Sequence, residues 1–296
     1  MEPSTETTAK HPGNRRGLRT VITALVAVLV VAGSLGAYLF ERARSQDQVT
    51  LGNVISIDRV DVMIYVKKVD PVAQELAAQV QVVPQGKFAD EVGFPKEDLT
   101  LYLNATKGDT LQFKAGKNPA VQEVRIPLST GVITDYPFDA YTAELGFYAE
   151  TTREPTPIAV HLGNADSFFA LTAGDPRQVE TSLEFDVDIS RTAGMFAFAI
   201  FIMIFMWCLS ISALIAARYV IRGKLGLLWP SMSFMGALLF ALVPLRNAVP
   251  GAPPIGSVID FCAFFIAEAI ISISLICMVV FGYRIERRKV AAKSAA

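Results

Sequence analysis

Glu268 is the residue whose setting most demands a chemical reason. It stands inside Val258–Gly282, a run otherwise made almost wholly of apolar side chains. A carboxylate at the centre of a bilayer helix costs about 2.5–3.5 kcal/mol on insertion scales. The same run carries 14 Leu, Ile, Val and Phe residues, which together favour insertion by roughly 4–8 kcal/mol. The run therefore enters a bilayer in spite of Glu268. Ser272 follows one turn later on the same helix face. Two readings stand side by side. Glu268 is a relay for protons or cations, or it is protonated and hydrogen-bonded to a neighbouring helix through Ser210, Ser212, Ser231 or Ser233.

Three further groups of residues are candidates for chemistry. Arg246 closes one apolar run and Asp260 opens the next, so the two are placed to pair across the connection between them. That connection, Arg246–Gly256, holds three prolines and two glycines, which forbid helix and stiffen a short loop. It reads as a rigid platform that faces, and docks against, the rest of the outer chain. Asp135, Tyr136, Pro137, Phe138, Asp139 and Tyr141 form an aromatic–proline turn with a raised chance of a cis bond. The plain reading is a packed corner anchored by Phe138 and Tyr141, with Asp139 capping the turn.

Other polar residues point to ordinary structure. Glu184, Asp186 and Asp188 alternate with apolar residues, the pattern of a half-exposed strand; calcium loops instead place their oxygens on a turning backbone. His161 is the one histidine of its domain and reads as a strand residue. The chain contains no G-x-S-x-G, phosphate-binding loop, H-E-x-x-H or C-x-x-C pattern. The expectation is a non-enzymatic protein with no catalytic residues, no metal site and no cofactor.

The elements that position these residues follow from hydropathy. Val21–Phe40, Gly194–Ala217, Leu227–Leu245 and Val258–Gly282 are each long and apolar enough to cross a bilayer core about 30 Å thick. Basic residues cluster before the first run (Lys10, Arg15, Arg16, Arg19), between the second and third (Arg218, Arg222, Lys224), and after the fourth (Arg284, Arg287, Arg288, Lys289, Lys293). The positive-inside bias then puts both termini and residues 218–226 in the cytoplasm. Residues 41–193 lie outside, as does the 246–257 loop. Residues 1–20 form a disordered basic tail and 283–296 a second basic tail. Arg42 and Arg44 stand against this orientation but are outnumbered. Tyr38 on the outer side, and Tyr219, Trp229 and Tyr283 on the inner, suit the headgroup layers. The first run is too long for a signal-peptide core and reads as an uncleaved anchor, although Ser34–Ala37 has the small residues of a cleavage site.

The outer segment, Glu41–Arg191, carries 23 acids against 14 bases. A nucleic-acid partner is excluded, because the folded part lacks the basic face such binding requires. All three cysteines lie in the apolar runs, so this segment is held by its own core and by no disulfide. Strand-like stretches recur at Val54–Val66, Ala77–Val83, Leu99–Asn104, Val121–Pro127, Ala143–Ala149, Ile158–His161 and Thr181–Ile189. Turn residues separate them, and a short helical turn is expected near Pro71–Ala78. The fold class that follows is a membrane protein: four transmembrane α-helices plus an extracytoplasmic, all-β, sandwich-like domain between the first and second.

The pairing of D-Y-P-F-D-x-Y (Asp135–Tyr141) with L-R-N-A-x-P-G-A-P-P-I-G (Leu245–Gly256), in a one-plus-three layout of apolar runs, resembles an uncharacterised bacterial integral membrane-protein family. The resemblance spans roughly residues 50 to 285. It implies a multi-pass protein of the bacterial cell envelope with no assigned activity. Its partners are the lipid bilayer and, by extension, other envelope proteins or further copies of the chain. Tyr136–Asp139 is also similar to the aromatic-Pro-Phe-Asp turn of pentameric ligand-gated channels, whose outer β-sandwich meets the membrane at that turn. The chain departs from that family. Three runs follow the sandwich instead of four, Tyr141 replaces the usual Gln, and the flanking cysteine positions read Ser129 and Ala143. The leading functional expectation is a partner- or ligand-binding protein whose outer β-domain is coupled to a three-helix bundle. The alternative is a transporter or channel component that uses Glu268 in an oligomer.

Overall fold

The computed structural model describes residues 48–294 apart from Glu180, together with Ala32, Gly33 and Gly36, which are helical. Residues 1–44 form a unit separate from 45–296. The rest of the Val21–Phe40 run, the basic tail before it, Tyr38, the Ser34–Ala37 small-residue site apart from Gly36, Arg42 and Arg44 lie outside the described residues.

Alternation along the chain builds the β-domain. In β3 (Glu75–Pro84) every second side chain is buried, from Leu76 through Ala78, Val80 and Val82. β11 (Ser182–Arg191) does the same with Leu183, Phe185, Val187 and Ile189, and leaves Asp186 and Asp188 on the solvent face. This two-residue period aligns one apolar face per strand. Two such faces close on a shared core.

One sheet has the order β1-β8-β2-β3-β6, formed by Val49–Gly52, Ile158–Asn164, Val60–Asp70, Glu75–Pro84 and Gln122–Pro127. Its β2 and β8 run parallel, and the other neighbours are antiparallel. The second sheet has the order β10-β11-β7-β4-β5, formed by Arg177–Val179, Ser182–Arg191, Ala140–Thr151, Leu99–Leu103 and Thr110–Phe113. Strand β9 (Phe169–Ala173) adds to β11. Ile64, Leu76 and Ile126 from the first sheet meet Leu101, Leu145 and Phe185 from the second in one buried cluster.

The sandwich matches the expected all-β class, with local differences. The Val54–Val66 stretch becomes a strand only from Val60, because Ser56 and Arg59 tie residues 53–59 into a looped segment. Pro71–Gln74 is the turn of the β2–β3 hairpin and not a helical turn; Asp70 accepts the Val72 and Ala73 amides there, and Gln74 takes a positive φ of 55°. Strands β1, β5, β9 and β10 lie in stretches that carried no strong alternation.

Strand β11 passes almost directly into helix α1 (Ala193–Arg222), with Thr192 as its N-cap residue. Helix α2 follows over Trp229–Asn247. A π-helical turn at Asp260–Phe264 then opens α3, which runs over Phe265–Ser294. All three helical segments are long and apolar enough to cross a membrane. Helices α1 and α3 extend beyond the apolar runs to include Arg218, Arg222, Arg284 and Arg287. Where the π turn widens the backbone, Cys262 exposes its carbonyl to the Trp207 indole N–H of α1 at 3.0 Å. Ala199, Ile202 and Met206 pack with Met235, Leu242, Ala263, Ala267 and Ile271 in a second core cluster.

Candidate functional site

The aromatic–proline turn sits where the two cores meet. A short 3-10 turn at Ile133–Asp135 delivers the chain into it, and the Asp135 carbonyl accepts the Phe138 amide at 2.8 Å. The Tyr136–Pro137 bond is cis. The turn sends its side chains in opposite directions. Tyr136 is fully buried and belongs to the helix cluster. Tyr141 is buried in the sandwich cluster, edge-on to Phe169 at 6.0 Å. Phe138 is 59% exposed and meets Phe196 of α1 edge-on at 5.5 Å. Phe138 is therefore not a core anchor; Tyr136 takes that place.

Asp139 is not a cap of the turn. Its carboxylate, with no exposed side-chain surface, accepts three hydrogen bonds from Arg191. Arg191 Nη2 reaches Oδ2 at 2.8 Å, and Nε lies 3.1 Å from both oxygens. Tyr141 donates its hydroxyl to the same Oδ2 at 2.8 Å. The Arg191 side chain is itself only 3% exposed and lies 4.1 Å over the Phe169 ring and 5.0 Å from the Tyr136 ring centroid. A buried charge must be paired and hydrogen-bonded to persist, and this guanidinium is held by a carboxylate and two aromatic faces.

Arg191 is the last residue of β11, two positions before α1 begins. The pair therefore ties the turn to the strand that becomes the first apolar helix. The backbone reinforces the joint. The Thr192 amide donates to the Phe168 carbonyl at 3.1 Å, and its hydroxyl to Ser167 at 3.3 Å.

The α2–α3 connection docks against this assembly. Arg246 and Asp260 pair as their spacing anticipates: Nε to Oδ1 at 2.7 Å and Nη2 to Oδ2 at 2.8 Å, with Asp260 fully buried. Arg246 also donates to the carbonyls of Pro253 and Pro254, both at 3.0 Å. Asp260 accepts the amides of Gly256 and Ser257. The proline-rich loop is thus wrapped around an internal ion pair, which fixes its shape. At its tip Gly251, with φ of +79°, approaches so closely that an added Cβ would stand 2.7 Å from Arg191 Nη1. Glycine is required there on two counts, a left-handed backbone and close contact.

Burial pushes the Tyr136 hydroxyl up to about 12, against a weaker opposing pull from Arg191. Tyr141 is shifted upward as well, by burial and by its bond to Asp139. Both stay neutral through the physiological range. Tyr136 Oη and Arg191 Nη1 are buried with no hydrogen-bond partner.

Other sequence candidates lie apart from this junction. Glu268 sits in the first turn of α3, half-buried, and among the described residues no group bonds to its carboxylate. Ser210 and Ser212 donate instead to the carbonyls of Trp207 and Cys208 in their own helix. The proposed serine partners of Glu268 are thus not engaged with it. Asp186 pairs with Arg177 at 3.3 Å on the outer sheet face. Among the described residues no group of three or more acidic, histidine or cysteine side chains is placed to hold a metal ion. His161 lies on the opposite sheet, with Nδ1 3.0 Å from Thr50 Oγ1 and Nε2 3.7 Å from Asp61.

Sequence reasoning found the turn and the Arg246–Asp260 pair but missed Arg191. A signal was present: a cation at the end of an apolar run opposite its basic cluster needs a local counter-ion.

Comparison with known proteins divides the chain at the same joint. Residues 50–189 match a family model described as Domain of unknown function (DUF4436), and residues 191–285 match another described as Domain of unknown function (DUF8686). No curated protein matches the chain. The two matches support an uncharacterised family, and their boundary falls between Asp139 and Arg191, so the buried ion pair joins one matched domain to the other.

Proposed function

We propose that this is an integral membrane protein of the bacterial cell envelope that binds a partner or ligand through its outer β-domain and transmits that event to its helices. It is not an enzyme on this reading, and nucleic acid is not its partner. Both termini face the cytoplasm and the sandwich faces outward. The observation that carries the proposal is the junction: Asp139 of the turn, Arg191 at the root of α1 and Gly251 of the α2–α3 loop are packed on one another. A tether that only anchored a domain would need no buried ions. Here a shift of the sandwich relative to the turn bears directly on the start of α1 and on the loop that joins α2 to α3. Purification from the native membrane in mild detergent, with identification of bound proteins and small molecules, tests the binding role. A stoichiometric partner lost from an isolated helical fragment supports it. Substrate turnover by the purified chain overturns it.

A second reading is a transporter or channel component. Glu268 favours it, being half-buried in an apolar helix with no partner among the described residues. A carboxylate in hydrocarbon faces water, another chain or a proton. The likeness of the Tyr136–Asp139 turn to that of the ligand-gated channels points the same way. Proton or cation flux into liposomes that disappears in Glu268→Gln supports this reading; flux indifferent to that change removes it.

A further inference from the structure

A cleft of about 780 Å³ opens beside the junction, between the helix-facing loops of the sandwich and the tip of the α2–α3 loop. Its lining combines cations, carboxylates and apolar side chains. Both carboxylates are already bonded within the fold. Asp166 accepts the amides of Val69 and Phe168, each at 2.7 Å. Asp70 accepts Lys68 at 2.7 Å and the amides of Val72 and Ala73. The cations keep free donors. Lys67 has no bonding partner among the described residues, Lys68 uses one of its donors, and Arg191 Nη1 is buried and unpaired. The cleft therefore keeps unspent cationic donors, which suit an anion with several oxygens.

The rest of the lining is apolar. Val72 is 74% exposed and Phe168 46% exposed, which is costly in water but not at a bilayer surface. Position agrees: Arg191 and Gly251 put the cleft level with the sandwich-side ends of the helices. We propose that this cleft holds the phosphate headgroup of an anionic phospholipid, with Lys67, Lys68 and Arg191 as its cations and Val72 and Phe168 against its glycerol and first methylenes. The inference rests on the membrane reading above. It makes the junction sensitive to lipid, because Arg191 belongs both to the cleft and to the buried ion pair.

The test uses the full chain in nanodiscs or mild detergent, with bound lipid read by native mass spectrometry. Failure to enter nanodiscs would refute the membrane reading itself; successful entry leaves the cleft as the question. Phosphatidylglycerol is expected to be retained over phosphatidylcholine. Lys67→Gln should weaken that retention roughly fivefold, since one Lys near an anionic surface is worth about 1 kcal/mol. Lys117→Gln, on a distant exposed turn, should leave it unchanged. Lys67 is exposed and unpaired, so its variant should melt as the wild type does. Equal retention of the two lipids, or indifference to Lys67→Gln, overturns the proposal. Displacement of the lipid by soluble glycerol 3-phosphate at comparable concentration would assign the cleft to a free phosphate and overturn the lipid source.

Discussion

Removing the Asp139 carboxylate should unlock the joint between sandwich and helices. The Asp139→Ala variant strips Arg191 of all three of its side-chain bonds to Asp139 and leaves a guanidinium of 3% exposure without a counter-ion. It also removes the acceptor of the Tyr141 hydroxyl. Breaking a buried pair from one side costs about 3–5 kcal/mol, because the surviving charge stays desolvated. For a unit of this size, that loss lowers the melting temperature by roughly 6–20 °C. Replacing the whole set at once (Asp139→Leu, Arg191→Met, Tyr141→Phe) orphans no further polar group, and most of the loss should return. The assay is thermal and denaturant unfolding of the single and triple variants in one detergent. A single variant within about 1 kcal/mol of wild type, or a triple variant worse than the single one, would refute the reasoning.

Further outcomes follow from the same geometry. Tyr136→Phe should be neutral or stabilising by about 1 kcal/mol, since the buried hydroxyl has no partner, and a clear loss of stability in denaturant titration would reveal one. Raising pH from about 10 to about 12 should progressively destabilise the fold, because the unfolded chain releases the tyrosine proton near its ordinary value while folded Tyr136 holds it to about 12. Melting curves of Tyr136→Phe should fall less steeply over that window. Gly251→Ala should cost about 1–3 kcal/mol from its positive φ and its contact with Arg191 Nη1, measured by the same melts. Protease added to intact cells should cut between sandwich strands and spare both tails; tags on the two tails that report opposite compartments would sink the topology.

What was legible in the sequence was whatever rests on period and length. The three apolar helices follow from runs too long for an ordinary core, and the main strands from two-residue alternation in stretches such as Leu183–Ile189. Short β1, β5 and β10 were not legible, because three or four residues carry no periodic signal and pair only when a neighbour offers an edge. At the site, Arg246 and Asp260 were legible because a short stiff loop leaves them few alternatives. Arg191 was not, since 52 residues separate it from Asp139 and only the sheet register brings β11 beside β7. Phe138 was expected as a core anchor and Tyr136 takes that place for a related reason: both are aromatic, and only the fold decides which ring is buried.

Hydrogen exchange on the full chain tests the coupling most directly. In Asp139→Asn, the bonded amides of Ala248, Val249, Gly256 and Ser257 in the α2–α3 loop should lose protection while those of β2 and β3 keep theirs, because the freed Arg191 no longer braces the tip of that loop. Exchange that changes only at residues 136–141 and 191, with the loop untouched, would show that the sandwich and the helices do not communicate through this joint.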